Sequence, residues 1–473
     1  MVLDRLNIQL DSFGQIRWAA WLIFALNFAL RLPSLFTGDI TLDETISVFH
    51  AQQDWADIYT FSTQEPNPPL YYLLLALWIR IFGIEEWGVR LLSVLLISLA
   101  GLYLFKSLKE NGKVKMALWA SLLFLFNGRF IWYQNEVRTY ALIAFFAAFS
   151  TYYLLKLLKN SDASKRTWWI LGVAYGLMML SHYMAFWIPV IHLLFVAVYY
   201  SKFSLKHFVG AGILGALLFS PFVIFAIRNM PEAGKFWLQP PTVKTLWFTT
   251  LRLIDGHSTL VFIKCLLITS AFFLPTSSKA EKKFNGLLLA SFVLILLGTF
   301  FIAQKTPVFL TKYLLSTSYL PLLLTAWAFV KWTELYSWAF VGAGVFVLMY
   351  GVGTSFYPYK TENYQKMIPA LEVSPEKPYY ISPFYYWKPV IYYYNRDEFK
   401  KYSTAFEYLE GQGFKPTWNL TDILKDKSQP EVRLIFRGDP KQHPVIQEAR
   451  DYWSEYDEYR CGMDLFILTF SNL

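Results

Sequence analysis

The chain of 473 residues is 55% hydrophobic and 19% aromatic but only 16% charged, with a mean hydropathy of +0.34 and a net charge of +9. That balance excludes an ordinary soluble globular protein and fits a polytopic membrane protein. Its basic residues cluster in short segments between apolar runs, which points to membrane orientation and away from nucleic acid.

The first apolar run, roughly Trp18 to Phe36, is long enough to span a bilayer and lacks a small-residue cleavage site, so a cleavable signal peptide is not expected. Directly after it comes Gly38-Asp39-Ile40-Thr41-Leu42-Asp43-Glu44-Thr45. Carboxylates at the mouth of a span are costly to bring into lipid, so they serve solvation or chemistry. A helix beginning near Asp43 places Asp43, Ser47, His50, Asp54 and Asp57 on one face, as in an amphipathic helix on the bilayer surface. Solvation accounts for Asp54 and Asp57, and capping by Thr41 or Asp43 accounts for one acid. Neither accounts for Asp39, Asp43 and Glu44 together.

Glu65-Pro66-Asn67-Pro68-Pro69 then sets a rigid entry to the apolar run Leu70–Phe82. That run is too short to span with confidence and reads as a helix in or dipping into the interface. Trp87-Gly88-Val89-Arg90 opens the second span, where Arg90 either snorkels or holds a phosphate or carboxylate. In all, about eleven spans are expected, at roughly 18–36, 88–105, 115–132, 139–155, 167–182, 185–200, 208–227, 258–275, 285–303, 313–330 and 335–353.

Between the third and fourth spans, Tyr133-Gln134-Asn135-Glu136-Val137-Arg138-Thr139-Tyr140 packs many polar groups into a tight connection, which suits a cavity. Helical spacing puts Glu136 and Tyr140 on one face and turns Arg138 away. His182 and Lys264 read as satisfied polar groups inside the bundle. Lys106, Lys109, Lys113 and Lys115, then Lys156, Lys159, Lys165 and Arg166, Lys202 and Lys206, and Lys279, Lys282 and Lys283 fall on one side of the membrane. The acidic loop 37–87 falls on the other. Positive-inside therefore predicts that this loop and the C-terminal segment are extracytoplasmic. Arg228, Lys235, Lys244, Arg252, Lys305 and Lys312 then lie on the disfavoured side, and each is a candidate anion ligand.

From about Tyr357 the composition changes to charged, mixed sequence. Short β-type runs at Tyr379-Tyr380-Ile381, 432–436 and 465–470, with a helical stretch at Pro440–Trp453, predict a small α/β domain of roughly 115 residues. Its aromatic opening, Phe384-Tyr385-Tyr386-Trp387 and Tyr392-Tyr393-Tyr394, either packs on the membrane domain, the favoured reading, or binds sugar. The division is 1–354 for the membrane domain and 355–473 for the extracytoplasmic domain. Asn419-Leu420-Thr421 fits a glycosylation triplet that also occurs by chance.

The order Arg31-Leu32-Pro33-Ser34-Leu35, Asp43-Glu44, Asn67-Pro68-Pro69-Leu70-Tyr71-Tyr72, Arg90-Leu91-Leu92-Ser93, Tyr133 through Ala141 and Lys312-Tyr313-Leu314-Leu315 resembles bacterial GT-C glycosyltransferases. Within these it is similar to the group related to protein O-mannosyltransferases and the lipid A aminoarabinose transferase. The resemblance runs from about residue 17 to 330. It departs at Asn67, where the family often has His, at Lys312, where it often has Arg, and at Val137-Arg138-Thr139, where it often has Ala-Arg-Met. Lys312 keeps the charge without the bidentate geometry of Arg.

The resemblance implies an all-α GT-C membrane fold with a soluble outer domain. It also implies inversion at a sugar carbon, a polyprenyl-phosphate sugar as donor, and a lipid, glycan or protein acceptor. Asp43 matches the first acid of the loop-1 pair and is the expected base, with Glu44 orienting it. Arg138, Lys312, Arg90 and Lys305 are the candidates for the donor phosphate, and Glu136, Tyr140, His50 and Tyr71 for the substrate pocket. No cofactor is expected. A divalent ion held by Asp43, Glu136 and His50 is an alternative that this group usually does without. The implied place is the inner membrane, multi-pass, with the site on the extracytoplasmic face. The rival readings are a transporter or flippase of lipid-linked sugars and a non-catalytic partner of an envelope assembly. Transporters gather polar residues near the bilayer midplane, often with inverted repeats. Here no repeat is apparent and the polar residues gather at span ends.

Overall fold

The computed structural model describes residues 17–63, 67–159, 165–199, 204–229, 239–255, 258–306, 308–336, 338–339, 342–346, 362–426 and 428–472. Glu65, Lys202 and Lys235, most of the expected span 335–353 and the boundary at 354/355 lie outside the described residues.

The described chain forms two compact units, one of residues 1–35, 58–74 and 90–357 and the other of 36–57, 75–89 and 358–473. The first unit is helical. Among the described residues of the chain, six helical segments are long and apolar enough to cross a membrane: Ala19–Phe36, Glu86–Lys109, Tyr140–Leu158, Leu205–Arg228, Lys279–Ile302 and Thr311–Leu335. A seventh is formed if Val243–Ile254 and Thr259–Phe273, bent by 75°, make one span. Leu70–Phe82, Val114–Phe126 and Tyr183–Val198 are apolar but shorter. The expected count of about eleven spans is not confirmed among the described residues. The run 115–132 breaks at Asn127, whose side chain caps a second short helix, Gly128–Trp132. The run 313–330 starts as a 3-10 turn, Thr311–Ser318, before the α-helix Tyr319–Leu335.

Two helices of this unit, Lys165–Met179 and Leu205–Asn229, meet through glycines. A Cβ on Gly176 would lie 2.6 Å from the Leu218 Cβ, and one on Gly172 2.8 Å from the Ala211 carbonyl oxygen. Small residues let backbones approach where lipid offers no hydrophobic drive to pair.

The second unit carries a five-stranded sheet. Its strands are β1 (Tyr379–Ser382), β2 (Phe414–Pro416), β3 (Glu431–Arg437), β4 (Glu455–Arg460) and β5 (Leu465–Ser471), in the order β2-β1-β3-β5-β4. β2, β1 and β3 run parallel, whereas β5 and β4 are antiparallel. The sequence reading located β1, β3 and β5. It missed the three-residue β2 and the charged edge strand β4, neither of which has an apolar run to betray it.

Val432, Leu434 and Phe436 of β3 pack with Leu420, Leu424, Ile446, Ala449 and Trp453 on one face of the sheet. The helices that follow β1 (Trp387–Tyr394, Arg396–Phe399 and Ala405–Gly411) contribute nothing to that core, although Ile381 and Ile435 on the opposite face are also buried. The neighbouring parallel strands β1 and β3 thus send their chains to different sides. This is the topological switch point at which open α/β sheets hold ligands, outside the carboxyl ends of the strands.

Candidate functional site

The sequence-predicted residues fall into two groups, one in each unit. In the second unit, Leu42–Ala51 is a helix with Thr41 at its N-cap, and the Glu44 carboxylate accepts the Thr41 N–H at 2.8 Å. Thr41 therefore supplies the cap, and Glu44, fully buried, closes the capping box. Its bond to Thr41 fixes the first turn, which carries Asp43, half-buried, into position. The helix ends at Ala51 and a second one, Trp55–Phe61, follows, so the single face running on to Asp57 is broken. His50 lies in the last turn, its Nδ1 2.7 Å from Gln53 Nε2 and its ring 6.0 Å from that of Tyr402.

Asp39 accepts the backbone N–H of Gln365 at 2.8 Å, and the Ile40 N–H donates to the Tyr393 hydroxyl at 2.7 Å. Phe49, on the helix behind Asp43, contacts Trp387, Phe399 and Tyr402 at ring distances of 5.2, 5.3 and 4.4 Å. Most of the aromatic opening of the C-terminal region thus packs, and within this unit its partners include residues of 36–57 and 75–89 as well as Tyr364, Phe399, Phe406 and Phe414; Tyr392 donates to the Ile84 carbonyl at 2.7 Å.

At the switch point, Arg437 at the end of β3 donates from Nε to Glu362 at 3.1 Å and pairs with Asp464 at 2.8 Å. Tyr364 donates to the same Glu362 carboxylate at 3.0 Å. Burial pushes the Glu362 carboxyl above its ordinary range despite these partners. Glu44 lies within electrostatic range of Glu362, and Asp43 within range of Tyr386, which follows β1. Asp43 and the carboxyl ends of β1 and β3 therefore belong to one place. Sequence reading singled out Tyr386 only as part of the aromatic opening and missed Glu362 and Arg437, because strand order, absent from the sequence, brings them together.

In the first unit, residues 133–139 form a turn rather than a helix, so the helical spacing that set Arg138 apart from Glu136 and Tyr140 does not apply. The Ser93 hydroxyl donates to the Glu136 carbonyl at 2.6 Å and lies 3.4 Å from the Tyr71 hydroxyl. Asn135 donates to the Ser34 carbonyl at 2.7 Å. Arg31, wholly buried, hydrogen-bonds Gln134 and reaches the Phe124 and Leu125 carbonyls at 3.4 and 3.5 Å. It closes the end of the Val114–Phe126 helix, where free carbonyls favour a cation. Arg90, also wholly buried, donates to the Leu35 carbonyl at 3.4 Å.

Leu70 donates its N–H to the Leu180 carbonyl at 3.0 Å, and Thr139 its hydroxyl to Ser181 at 2.8 Å. These bonds gather the Asn67-Pro68-Pro69 entry, the 133–139 turn and the Leu180–His182 turn. His182 has its ring 4.8 Å from Tyr313 and lies within electrostatic range of Arg138 and Lys312. The Lys312 ammonium stands 5.9 Å from the Tyr140 ring centroid. His182 Nδ1 accepts the Met184 N–H at 3.0 Å, which leaves the ring proton on Nε2, and that atom is buried with no hydrogen-bond partner among the described residues. Both amide atoms of Asn67 are likewise buried and unbonded among those residues. The orphaned buried His182 donor beside two cations fits an anion, because a buried polar group without a partner is expensive.

Lys264 is satisfied by Asp255 at 2.5 Å, as expected of a bundle residue, whereas His182 is only half satisfied. Lys305 is exposed in the turn after Ile302. Among the described residues, no three His, Cys, Asp or Glu side chains gather as a metal site would need, and Cys265 and Cys461 are both free.

Residues 66–225 match the family model of dolichyl-phosphate-mannose-protein mannosyltransferases. A sequence comparison with curated proteins gives no match. Among solved structures, the chain is similar to ArnT from Cupriavidus metallidurans in the apo state. That match has a TM-score of 0.62 and 11% identity, over 95% of this chain and 97% of that one. The same protein bound to undecaprenyl phosphate matches at TM-score 0.54 and 12% identity over the same shares. The archaeal oligosaccharyltransferase AglB from Archaeoglobus fulgidus, in complex with an inhibitory peptide and a dolichol-phosphate, matches at TM-score 0.53 and 10% identity, over 95% and 74%. The chain therefore has the fold of the GT-C membrane glycosyltransferases, and its residues 66–225 match the protein mannosyltransferase family within that fold.

Proposed function

We propose that this protein is an inverting glycosyltransferase that moves a sugar from a polyprenyl-phosphate donor to an acceptor on the extracytoplasmic face of the inner membrane. The observation that carries the reading is the meeting of Arg138, Lys312 and the orphaned His182 Nε2–H in the bundle that matches the mannosyltransferase family. Undecaprenyl phosphate in ArnT and dolichol-phosphate in AglB supply the chemical class of lipid carrier. The outward orientation rests on the lysine-rich loops and the acidic 37–87 loop.

In the proposed step an acceptor hydroxyl or amine attacks the sugar's anomeric carbon while Asp43 takes its proton. The bond from that carbon to the phosphate oxygen breaks, its electron pair leaves on the polyprenyl phosphate, and configuration inverts. Phosphate leaves readily, so no general acid is needed, unlike glycoside hydrolysis. Arg138, Lys312 and His182 stabilise charge growing on the phosphate, and Arg90 is a further candidate. The scheme needs no metal.

The test is mass-spectrometric release of polyprenyl phosphate from a panel of polyprenyl-phosphate sugars, with an envelope extract as acceptor. Wild type should release it from at least one donor. The near-isosteric Asp43→Asn should fall by roughly 10²–10⁴-fold, the range of a lost general base. Tight donor binding with no release from any donor would replace the transferase by a flippase or an assembly partner.

A further inference from the structure

Trp418 is 71% exposed, and it stands immediately beyond the carboxyl end of β2. Its turn is rigid: Thr417 donates its N–H to the Ile381 carbonyl of β1 at 2.9 Å, and Asn419 donates its N–H to Thr417 Oγ1 at 3.0 Å. Phe384 lies beneath the indole, nearly parallel at 15° with centroids 5.5 Å apart. Tyr385, 37% exposed, meets it edge-on at 5.5 Å. One face of the indole is thus backed by a ring and the other is open.

This surface is near the carboxylate proposed as base. Tyr385 contacts Tyr386 at 5.3 Å, and Tyr386 is the ring within electrostatic range of Asp43. A second path runs through rings alone, from Phe384 to Phe406 at 5.7 Å, to Trp387 at 5.1 Å and to Phe49 on the Asp43 helix at 5.2 Å. The location is at the carboxyl ends of the parallel strands β1 and β2, one strand over from the β1/β3 switch point. Lys415, Asn419 and Asp422, near Trp418 in sequence, are exposed and polar, an unfavourable setting for insertion into hydrocarbon. A flat, rigid, open aromatic face with a phenol at its edge suits the C–H face of a pyranose, whose ring hydroxyls reach the phenol and solvent.

We propose that Trp418, backed by Phe384 and flanked by Tyr385 at the carboxyl edge of β1 and β2, is a stacking platform for a pyranose unit of the acceptor, which is therefore a glycan or glycolipid. The acceptor role rests on the transferase reading, whereas sugar binding can be read without turnover.

The experiment is saturation-transfer NMR on the full chain in nanodiscs, using methyl α-D-mannopyranoside, methyl β-D-glucopyranoside and maltotriose as probes. Wild type should transfer saturation to the axial ring protons of at least one probe. Trp418→Ala should lose it and Trp418→Tyr keep it, with melting temperature unchanged because the side chain is exposed. In the transfer assay Trp418→Ala should raise the acceptor KM about three- to tenfold, the worth of one aromatic stack, and leave the donor KM alone. No saturation of any probe by wild type overturns the platform, as does equal saturation by Trp418→Ala. Quenching of Trp418 by brominated lipids also overturns it, in favour of an interfacial anchor. If the sugars bind and no donor is turned over, the platform stands and the transferase reading fails.

Discussion

His182 shows how one hydrogen bond can assign a role. Because Nδ1 accepts the Met184 N–H, the Nε2–H is the donor left over, beside Arg138 and Lys312. Removing it in His182→Ala should raise the donor KM roughly ten- to a hundredfold, the range of a hydrogen bond to a charged group. His182→Gln, which retains an N–H donor, should recover much of that, and the acceptor KM should not move. Steady-state kinetics with the donor identified by the release assay read both values; an unchanged donor KM in the Ala variant removes His182 from the phosphate site. Glu362 makes a different residue-scale case. Burial raises its folded value above that of the unfolded chain, so its favourable contribution is complete below the unfolded value. That contribution is lost as pH rises through the folded value. The melting temperature of the wild type should therefore fall over that interval, above the ordinary carboxylate range. Glu362→Gln, which can still accept from Arg437, should lose that pH dependence.

Helix pairing in the membrane unit depends on absent side chains, and that makes it testable at the level of elements. Gly172 and Gly176 on one helix and Gly215 on the other all stand where a Cβ would come within 3.0 Å of the partner helix. Gly176→Leu should destabilise the detergent-solubilised protein by about 1–3 kcal/mol, the usual cost of overpacking. Gly210→Leu, where a Cβ meets nothing within 4 Å, should be nearly neutral in the same thermal melts. This scale also explains what the sequence could reveal. The long apolar helices 86–109 and 205–229 and the strands β3 and β5 were legible because hydrophobic periodicity and length mark them. The break at Asn127 and the 3-10 start at Thr311 were not, since each lies inside an apolar run where composition does not change. The Asp43 helix was legible, but its cap was not assigned: Thr41 and Asp43 are both good capping residues, and only the Glu44 bond decides between them. Helical spacing does not apply across 133–139, because that stretch is a turn.

At the scale of the whole molecule, the C-terminal region is more than a module appended to a membrane enzyme. It shares a compact unit with residues 36–57 and 75–89, which come from the first loop and the helices beside it. Asp39, Ile40 and Phe49 are bonded to or packed on residues 364–402, so the helix that carries Asp43 is built partly from chain more than 300 residues away. An isolated ten-residue helix is marginal in water, and its order here comes from that packing. Truncation after residue 361 should therefore inactivate the enzyme by freeing the Leu42–Ala51 helix while the membrane helices remain folded. Hydrogen exchange should show the amides of 42–51 losing protection in the truncated protein, with those of 86–109 and 140–158 unchanged. Phe49→Ala removes only the central ring of the contact and should cost about 3–5 kcal/mol locally, reproducing part of the exchange effect with the C-terminal region still present. If 42–51 stays protected after truncation, the order of the Asp43 helix does not depend on the C-terminal region, which then serves only whatever it binds at its own sheet edge.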